Sequence, residues 1–188
     1  TGSCKWFVKG HNGKVSVLAI SERAGVLLSA GDDRLCRIWS LHEGEKNGEL
    51  RAHTLPVKTL AISSDGSRAV STDAVSQVIW DVPSRRSTRL ILGSLGNTCA
   101  TISSDGAFVA FGRDRRVQIH DGHTGGRLAE FRPHESEIAA LEFSPDSQML
   151  IAATTMGHVF VYRLNIGREP QVDDVEHIIS IGAAQEIE

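Results

Sequence analysis

The chain has 188 residues, of which 40% are hydrophobic and 23% charged, enough apolar material for one or two folded domains. The net charge of −3 makes neither nucleic acid nor an anionic membrane the default partner. No apolar run is long enough for a transmembrane helix and no secretory leader is visible, so we expect an intracellular protein without membrane insertion. Cys4, Cys36 and Cys99 are too unevenly spaced for a disulfide framework or a metal knuckle, which favours a reducing compartment.

In chain order, short apolar runs typical of β-strands alternate with polar turns, beginning with a run at residues 4–8. Three of the following units open on a histidine: His11, His53 and His134. Four units close on an aromatic residue or a histidine: Trp39, Trp80, His120 and Tyr162. These positions recur about every 40 residues, so the chain contains an internal repeat.

A turn phrase recurs inside the same units. It reads Ser-Ser-Asp-Gly at residues 63–66 and 103–106, and Ser-Pro-Asp-Ser at residues 144–147. Aspartate, glycine and proline suit tight turns, so each unit contains several short strands joined by reversals. Four short antiparallel strands in about 40 residues are typical of one propeller blade. We therefore predict an all-β fold, a β-propeller made of four-stranded antiparallel blades, without amphipathic helices.

The opening Gly10 and His11, the Asp-Gly turn, and the closing Trp80 and Asp81 resemble the WD-repeat family. The resemblance covers residues 10–164 and implies four blades at residues 10–51, 52–92, 93–132 and 133–165. Residues 1–9 would then hold the last strand of a preceding blade. Residues 166–188 would form a linker and the possible start of a further blade, so that the chain would be a portion of a larger propeller.

In that family, a histidine, a serine or threonine, an aspartate and a tryptophan of one blade form a hydrogen-bonded chain. The resemblance implies a complete set in the first blade: His11, Ser29, Asp33 and Trp39. The later blades retain parts of the set: His53, Ser71, Trp80 and Asp114. In the second blade Ala74 stands in place of the aspartate, unless the neighbouring Asp73 substitutes for it. We therefore expect the blades to differ in stability, with the first the most sharply specified.

His11, Ser29 and Asp33 are also the residue types of a hydrolase triad. A nucleophilic serine needs a strained, exposed position such as a Gly-x-Ser-x-Gly elbow, and no such motif occurs in the sequence. The recurrence of histidine with tryptophan explains the three residues better as a structural network. We therefore predict no catalytic residues.

Three other patterns resemble sites for a metal, a phosphate group or a cation. His120 and His123 flank Asp121 at a spacing that suits a metal, but they fall in a predicted turn between strands. The glycines of that turn imitate a phosphate loop without its Gly-Lys-Ser/Thr ending: Gly122, Gly125 and Gly126. Asp173 and Asp174 could bind a cation but are better read as a solvated linker. We predict neither a metal nor a cofactor.

Two groups of arginines could hold an acidic peptide or a phosphate backbone. The first group consists of Arg85, Arg86 and Arg89, and the second of Arg113, Arg115 and Arg116. The repeat places the first group between the third and fourth strands of a blade, and Arg113 between the second and third strands. The two groups then lie on opposite rims, so nucleic acid is possible but not favoured as a partner.

The sequence favours a non-catalytic protein–protein interaction scaffold, a subunit of an intracellular multiprotein assembly in the cytoplasm or nucleus. The predicted docking rim is formed by the loops before first strands and between second and third strands. The residues expected there are Asn12, Lys14, Asp32, Pro56, Lys58, Asp73, Arg113 and Arg115. One alternative is an RNA-associated scaffold in a ribonucleoprotein or ribosome-assembly complex. Another is a substrate-recognition subunit of a ubiquitin ligase, although Val82 and Pro83 follow Trp80 and Asp81 where such family members often carry an arginine.

Overall fold

We describe the fold from a computed structural model, which covers residues 2–92, 98–131, 135–164 and 178–179. Within these ranges the chain forms sixteen β-strands and no helix. The strands coincide with the apolar runs between polar turns, where branched side chains pack well on a pleated surface. The predicted all-β class is confirmed.

The strands form four antiparallel sheets of four strands each, here called blades one to four in chain order. Blade one contains β1 (Val15–Ser21), β2 (Val26–Gly31), β3 (Cys36–Ser40) and β4 (Lys46–Leu50). Blade two contains β5 (Thr59–Ile62), β6 (Arg68–Thr72), β7 (Ser76–Asp81) and β8 (Arg86–Leu92). Blade three contains β9 (Thr98–Ile102), β10 (Phe108–Arg113), β11 (Arg116–Asp121) and β12 (Arg127–Phe131). Blade four contains β13 (Ile138–Phe143), β14 (Met149–Thr154), β15 (Val159–Arg163) and β16 (Ile178–Ile179).

The repeated Ser-x-Asp-Gly phrase forms the turn between the first and second strands of a blade. In blade two the Ser63 hydroxyl donates a hydrogen bond to Asp65 at 2.6 Å. Gly66 follows with a φ of 71°, a left-handed conformation that glycine adopts without strain. In blade four Ser147 occupies the glycine position with a φ of 60°. The phrase therefore recurs because blades two, three and four reverse their chains with similar local geometry.

Apolar side chains fill the space between consecutive blades. The layer between blades one and two includes Leu28, Ile38, Val78 and Trp80. The layer between blades two and three includes Val70, Ile79, Val109 and Phe111. The layer between blades three and four includes Ala110, Ile119, Leu150 and Tyr162. Because side chains alternate along a strand, each blade can pack one face on the preceding blade and the other on the following one.

The structure differs from the sequence expectation at both ends of the repeat. Residues 2–9 form no strand, in contrast to the strand of a preceding blade predicted within residues 1–9. Trp6 instead donates its indole N–H to the carbonyl of Leu41 at 3.1 Å and lies against blade one. Ile178–Ile179 pairs with β15 as the fourth strand of blade four, rather than beginning a further blade. This pairing gives the outer edge of β15 hydrogen-bond partners. His134, Asp173 and Asp174 lie outside the described residues.

Candidate functional site

In blade one a hydrogen-bonded chain ties the loop before β1 to the two central strands. The Trp39 indole N–H donates to the Ser29 hydroxyl at 2.7 Å, and the same hydroxyl lies 2.6 Å from His11 Nε2. His11 Nδ1 lies 3.0 Å from both carboxylate oxygens of Asp33. The structure thus brings together His11, Ser29, Asp33 and Trp39, and it satisfies a tryptophan N–H that is buried in the sheet.

Arg37 joins this network, although it was not among the residues predicted for it. Its guanidinium Nη1 donates to Asp33 Oδ2 at 2.6 Å, and its side chain is only 6% exposed. Burial acts to raise the pKa of Asp33, but hydrogen bonds from His11 and Arg37 outweigh it and hold that pKa well below its usual range. The signal for Arg37 in the sequence is a charge in an apolar strand, a position that requires a buried partner.

Blade two contains a second complete network. The Trp80 indole N–H donates to the Ser71 hydroxyl at 2.7 Å, and this hydroxyl lies 2.6 Å from His53 Nε2. His53 Nδ1 lies 3.1 Å from Asp73 Oδ2. Asp73, expected on the docking rim, is fully buried and supplies the carboxylate of this network. The expectation that only the first blade has a complete set is therefore corrected.

The turn that carries Asp73 differs in length from the corresponding turn of blade one. Serine and tryptophan are ten residues apart in blade one but nine apart in blade two. The turn between β6 and β7 is therefore shorter than the turn between β2 and β3. Asp73 is held there by the backbone N–H groups of Val75 and Ser76, at 2.8 and 2.6 Å. Alignment by residue count alone pointed to Ala74.

The protonation of His53 can be deduced from its neighbours. An indole N–H only donates, so Ser71 accepts from Trp80 and has its own hydrogen free to donate to His53 Nε2. Nδ1 then carries the proton and donates to Asp73. Burial lowers the pKa of His53 more than the adjacent Asp73 carboxylate raises it. The folded protein therefore favours a neutral imidazole at this position.

Blades three and four have aromatic packing at the positions of the tryptophans. His120 takes the tryptophan position of blade three, where its ring meets Phe111 edge-on with centroids 5.4 Å apart. Its Nδ1 lies 3.1 Å from the carbonyl oxygen of Gly125. In blade four the buried Tyr162 stacks on Phe131 at 4.3 Å. Asp114, predicted for the blade-three network, is exposed in the β10–β11 turn, where its backbone carbonyl accepts from the N–H of Ile138 at 2.7 Å.

Seven of the eight predicted docking residues are at least partly accessible. The exposed ones are Asn12, Lys14, Asp32, Lys58 and Arg115, whereas Pro56 and Arg113 are half-buried. They lie in loops that precede first strands or join second to third strands. Because successive strands run antiparallel, these loops share one end of the sheets, here called the docking rim.

Backbone hydrogen bonds fix the loops of the docking rim to one another. Within blade one, Asp32 N–H donates to the carbonyl of Lys14 at 2.9 Å. Between blades, Val57 N–H donates to the carbonyl of Gly31 at 3.1 Å, and the Ile138 bond to Asp114 links blade four to blade three. The exposed side chains of the rim are therefore carried by loops that are tied to neighbouring strands and blades.

The two arginine groups lie at opposite ends of their sheets. Arg85 occupies the β7–β8 turn and Arg86 begins β8. Arg113 and Arg115 lie at the β10–β11 turn, on the docking rim. Third-to-fourth and second-to-third connections leave an antiparallel sheet from opposite ends. The described residues of the two groups therefore do not form one continuous basic surface.

Asp121 and His123, whose spacing with His120 resembles a metal site, lie in a turn. Asp121 Oδ1 accepts hydrogen bonds from the backbone N–H groups of His123 and Thr124 at 2.9 and 2.7 Å, and Gly125 adopts a φ of 70°. In the part of the chain that the structure describes, no group of three or more metal-binding side chains comes together. That part also has no helix that could cross a membrane.

Comparison with known proteins connects these features. Residues 2–40 and 125–162 match the family of the WD domain, G-beta repeat. Cilia- and flagella-associated protein 52 of Chlamydomonas reinhardtii is 28% identical over 82% of this chain and 26% of its own length. Transcription initiation factor TFIID subunit 5 of Caenorhabditis elegans is 25% identical over 82% of this chain and 24% of its own length. Two segments of the chain therefore match the WD-repeat family.

A solved structure supports the four-bladed β-fold independently of sequence. The crystal structure of the computationally designed Ika4 protein matches with a TM-score of 0.73 at 20% identity. The match covers 87% of this chain and 99% of the designed one, and at this identity it speaks for the fold alone. The chain spans about a quarter of the length of the two curated relatives described above.

The serine, histidine and aspartate of each complete WD-repeat network lie at distances found in catalytic triads, but their environment differs. Ser29 and Ser71 are buried, and each hydroxyl is occupied by a tryptophan N–H. A nucleophile must instead be exposed to its substrate, next to donors that stabilise an oxyanion. The geometry suits a structural clamp between loop and sheet, and WD-repeat proteins are generally non-catalytic scaffolds.

Proposed function

We propose that this WD-repeat chain is a non-catalytic protein–protein interaction scaffold, a subunit of an intracellular multiprotein assembly in the cytoplasm or nucleus. The observation that carries the proposal is the docking rim, whose exposed side chains sit on loops fixed by hydrogen bonds between blades. A rigid loop platform loses little conformational entropy when it binds, so more of the contact energy becomes affinity.

The chemistry of the docking rim suits a protein partner that carries both signs of charge. Lys14, Lys58 and Arg115 are cationic, and Asp32 is anionic and lies beside Lys14. Charges of mixed sign at a rim select partners and orient them more than they add affinity. TFIID subunit 5 is by name a component of a larger factor, which supports a similar role for this chain.

An RNA-associated scaffold in a ribonucleoprotein or ribosome-assembly complex is the alternative. It would need a continuous cationic surface that follows a phosphate backbone. The separation of the two arginine groups disfavours such a surface. A substrate-recognition subunit of a ubiquitin ligase is disfavoured by Pro83, which stands two residues after Asp81 where such family members often carry an arginine.

The proposal is tested by affinity purification of tagged chain from cell extract, followed by identification of the bound proteins. The rim variant carries Lys14→Glu, Asp32→Lys, Lys58→Glu and Arg115→Glu. A matched control reverses Arg85 and Arg86, which lie at the opposite end of the sheets. We expect bound proteins that the rim variant loses and the control retains, with or without ribonuclease. Equal recovery by both variants would contradict docking through this rim, and loss after ribonuclease would favour the RNA alternative.

A further inference from the structure

A cleft of about 300 Å³ lies between blades one and two, at the end of the sheets opposite the docking rim. Its polar border includes Asn47 on β4 of blade one and Arg85 in the β7–β8 turn of blade two. Its apolar wall is formed by Val26, Ile38, Val82 and Pro83. We call this feature the interblade cleft. An apolar cavity with a few polar groups at its border is the usual form of a binding site.

The equivalent place on blade one is occupied by a tryptophan side chain. Trp6 stands five residues before the histidine of blade one, and Gly48 stands five residues before the histidine of blade two. The Trp6 ring packs so closely on the β3–β4 turn that a Cβ at Gly44 would come within 2.5 Å of it. Because Gly48 has no side chain to cover the β7–β8 turn in the same way, the interblade cleft stays open. The chain itself therefore shows that an indole fits against a turn of this kind.

Arg85 has a backbone conformation that favours glycine. Its φ is 59°, in the left-handed region. The residues at the same distance after the closing residues of blades one and three are Gly44 and Gly125, with φ of 72° and 70°. An arginine at this position carries a backbone strain that a glycine would not. A strained residue whose side chain borders a cleft is a candidate for a binding role.

The Arg85 side chain lies on β4 without an ionic partner. A Cβ on Gly48 would come within 2.6 Å of Arg85 Nε, so the glycine makes room for the guanidinium. Among the residues that the structure describes, no carboxylate forms an ion pair with Arg85. Asp65, at the border of the cleft, already accepts hydrogen bonds from two serines of its own turn, and Asp81 pairs with Arg68 at 3.3 Å. Arg85 is therefore a cation that can receive a carboxylate from another molecule.

We propose that the interblade cleft binds a peptide segment of a protein partner that carries a large apolar side chain next to a carboxylate. The apolar side chain enters beside Ile38 and Val82, as Trp6 packs on blade one, and the carboxylate accepts hydrogen bonds from Arg85. Guanidinium and carboxylate groups match in geometry and form strong, charge-assisted hydrogen bonds. A single arginine beside Asp65 suits a carboxylate better than a phosphate group, which carries more negative charge.

The role of the cleft rests on the proposed scaffold function and adds a second docking surface at the opposite end of the sheets. In the affinity purification described above, a partner held by the interblade cleft is lost when Arg85 and Arg86 are reversed and is retained by the rim variant. A partner of the docking rim shows the opposite pattern. Failure of one surface is therefore distinguishable from failure of the other.

The direct test uses the dipeptide acetyl-Trp-Glu-amide, titrated into the isotope-labelled chain while its amide resonances are followed by NMR. We expect affinity on the order of millimolar, with shifts at the amides of Asn47, Gly48 and Arg85. Acetyl-Trp-Gln-amide has the same shape without the charge and should bind about tenfold more weakly. Acetyl-Ala-Glu-amide lacks the large apolar group and should also bind more weakly. Equal binding of the charged and neutral tryptophan dipeptides, or shifts that avoid the cleft, would overturn the proposal.

Variants of the chain separate binding from a merely structural role of Arg85. Arg85→Gly should raise the denaturation midpoint, because glycine relieves the strained φ, and should weaken binding of the acidic dipeptide about tenfold. If the arginine only covered Ile38, the same variant would be less stable and would bind no differently. Arg86→Gln is the matched control and should retain binding.

Filling the cleft tests its location. Gly48→Trp places an indole where Trp6 lies on blade one, and it should abolish binding of the acidic dipeptide while circular dichroism shows an intact β-fold. Unaltered binding by folded Gly48→Trp, or by Arg85→Gly, would overturn the proposal.

Discussion

Gly10 lies directly against the indole ring of Trp39. A Cβ built on Gly10 would come within 2.1 Å of ring atom Cη2, a distance that no packed structure tolerates. The glycine therefore allows the loop to cross the tryptophan, which places the following His11 within reach of Ser29. This contact gives a physical reason for a Gly-His pair before a blade that closes on tryptophan.

Replacing Gly10 with alanine should destabilise blade one through overpacking. We expect a loss of about 1–3 kcal/mol in the free energy of unfolding, measured by chemical denaturation. The control is Gly2→Ala, because a Cβ at Gly2 meets nothing within 4 Å. If both variants unfold like the unsubstituted protein, the loop does not press on Trp39.

The serine hydroxyls should contribute to stability through the tryptophans they hold. Ser71→Ala leaves the buried N–H of Trp80 without its acceptor and should cost about 1–3 kcal/mol. Trp80→Phe removes that N–H together with part of the ring. Ser71→Ala should cost less in the Trp80→Phe background, where only the hydrogen bond from Ser71 to His53 remains to be lost. Additive losses in thermal unfolding would show that the hydrogen bond contributes nothing.

The first network offers a test that separates structure from catalysis. His11→Ala and Asp33→Asn each strand a buried polar group, so each should lower the unfolding free energy by about 1–3 kcal/mol. Trp39→Ala also opens a cavity and should cost about 3–5 kcal/mol. Unfolding curves identical to that of the unsubstituted protein would contradict the structural role.

Acid should destabilise the protein through His53. Because burial keeps the pKa of His53 below its ordinary value of 6.5, the unfolded chain takes up a proton at higher pH than the folded one. The contribution of this histidine is therefore fully present above about pH 6.5 and declines as the pH falls below that value. The free energy of unfolding, measured in buffers from about pH 8 to about pH 5, should therefore decrease as the pH falls. His53→Gln should flatten this decrease, whereas replacing the exposed His42 should not.

The thiols should differ in reactivity. Burial raises the pKa of Cys36 to about 12 and that of Cys99 to about 11, whereas Cys4 is exposed. The thiolate is the reactive form, so an alkylating reagent should label Cys4 alone in the folded protein and all three in denaturant. Mass spectrometry of the digested protein reads out each site. Rapid labelling of Cys36 without denaturant would show that the layer between blades one and two opens.

The fold could be predicted from the sequence because its signals are local and repeated. Turn phrases such as residues 63–66 and closing residues such as Trp39 recur with a single period, and alternation within each run defines the strand faces. The network around His11 could be predicted for the same reason, since its four residues stand at the spacing of the family. At β16 the sequence indicated the possible start of a further blade, and a strand of two residues has no periodicity that could show its pairing with β15.

The sequence left the carboxylate of the second network open between its loss at Ala74 and its substitution by Asp73. Counting back from the tryptophan aligns Ala74 with Asp33, and the three-dimensional structure shows that Asp73 reaches His53. The same limitation led to the placement of Asp73 on the docking rim. Arg37 was missed because a charge within an apolar strand gives no indication of which carboxylate it meets.

Because His120 and Tyr162 replace tryptophan in blades three and four, all tryptophans of the chain lie in or against blades one and two, and its one tyrosine lies in blade four. The chain has three tryptophans and one tyrosine. Trp6 lies against blade one, while Trp39 and Trp80 are buried in blades one and two. Intrinsic indole fluorescence therefore follows the unfolding of the first half of the protein, and Tyr162 follows the second. A single unsubstituted sample can reveal whether the two halves melt together or in sequence.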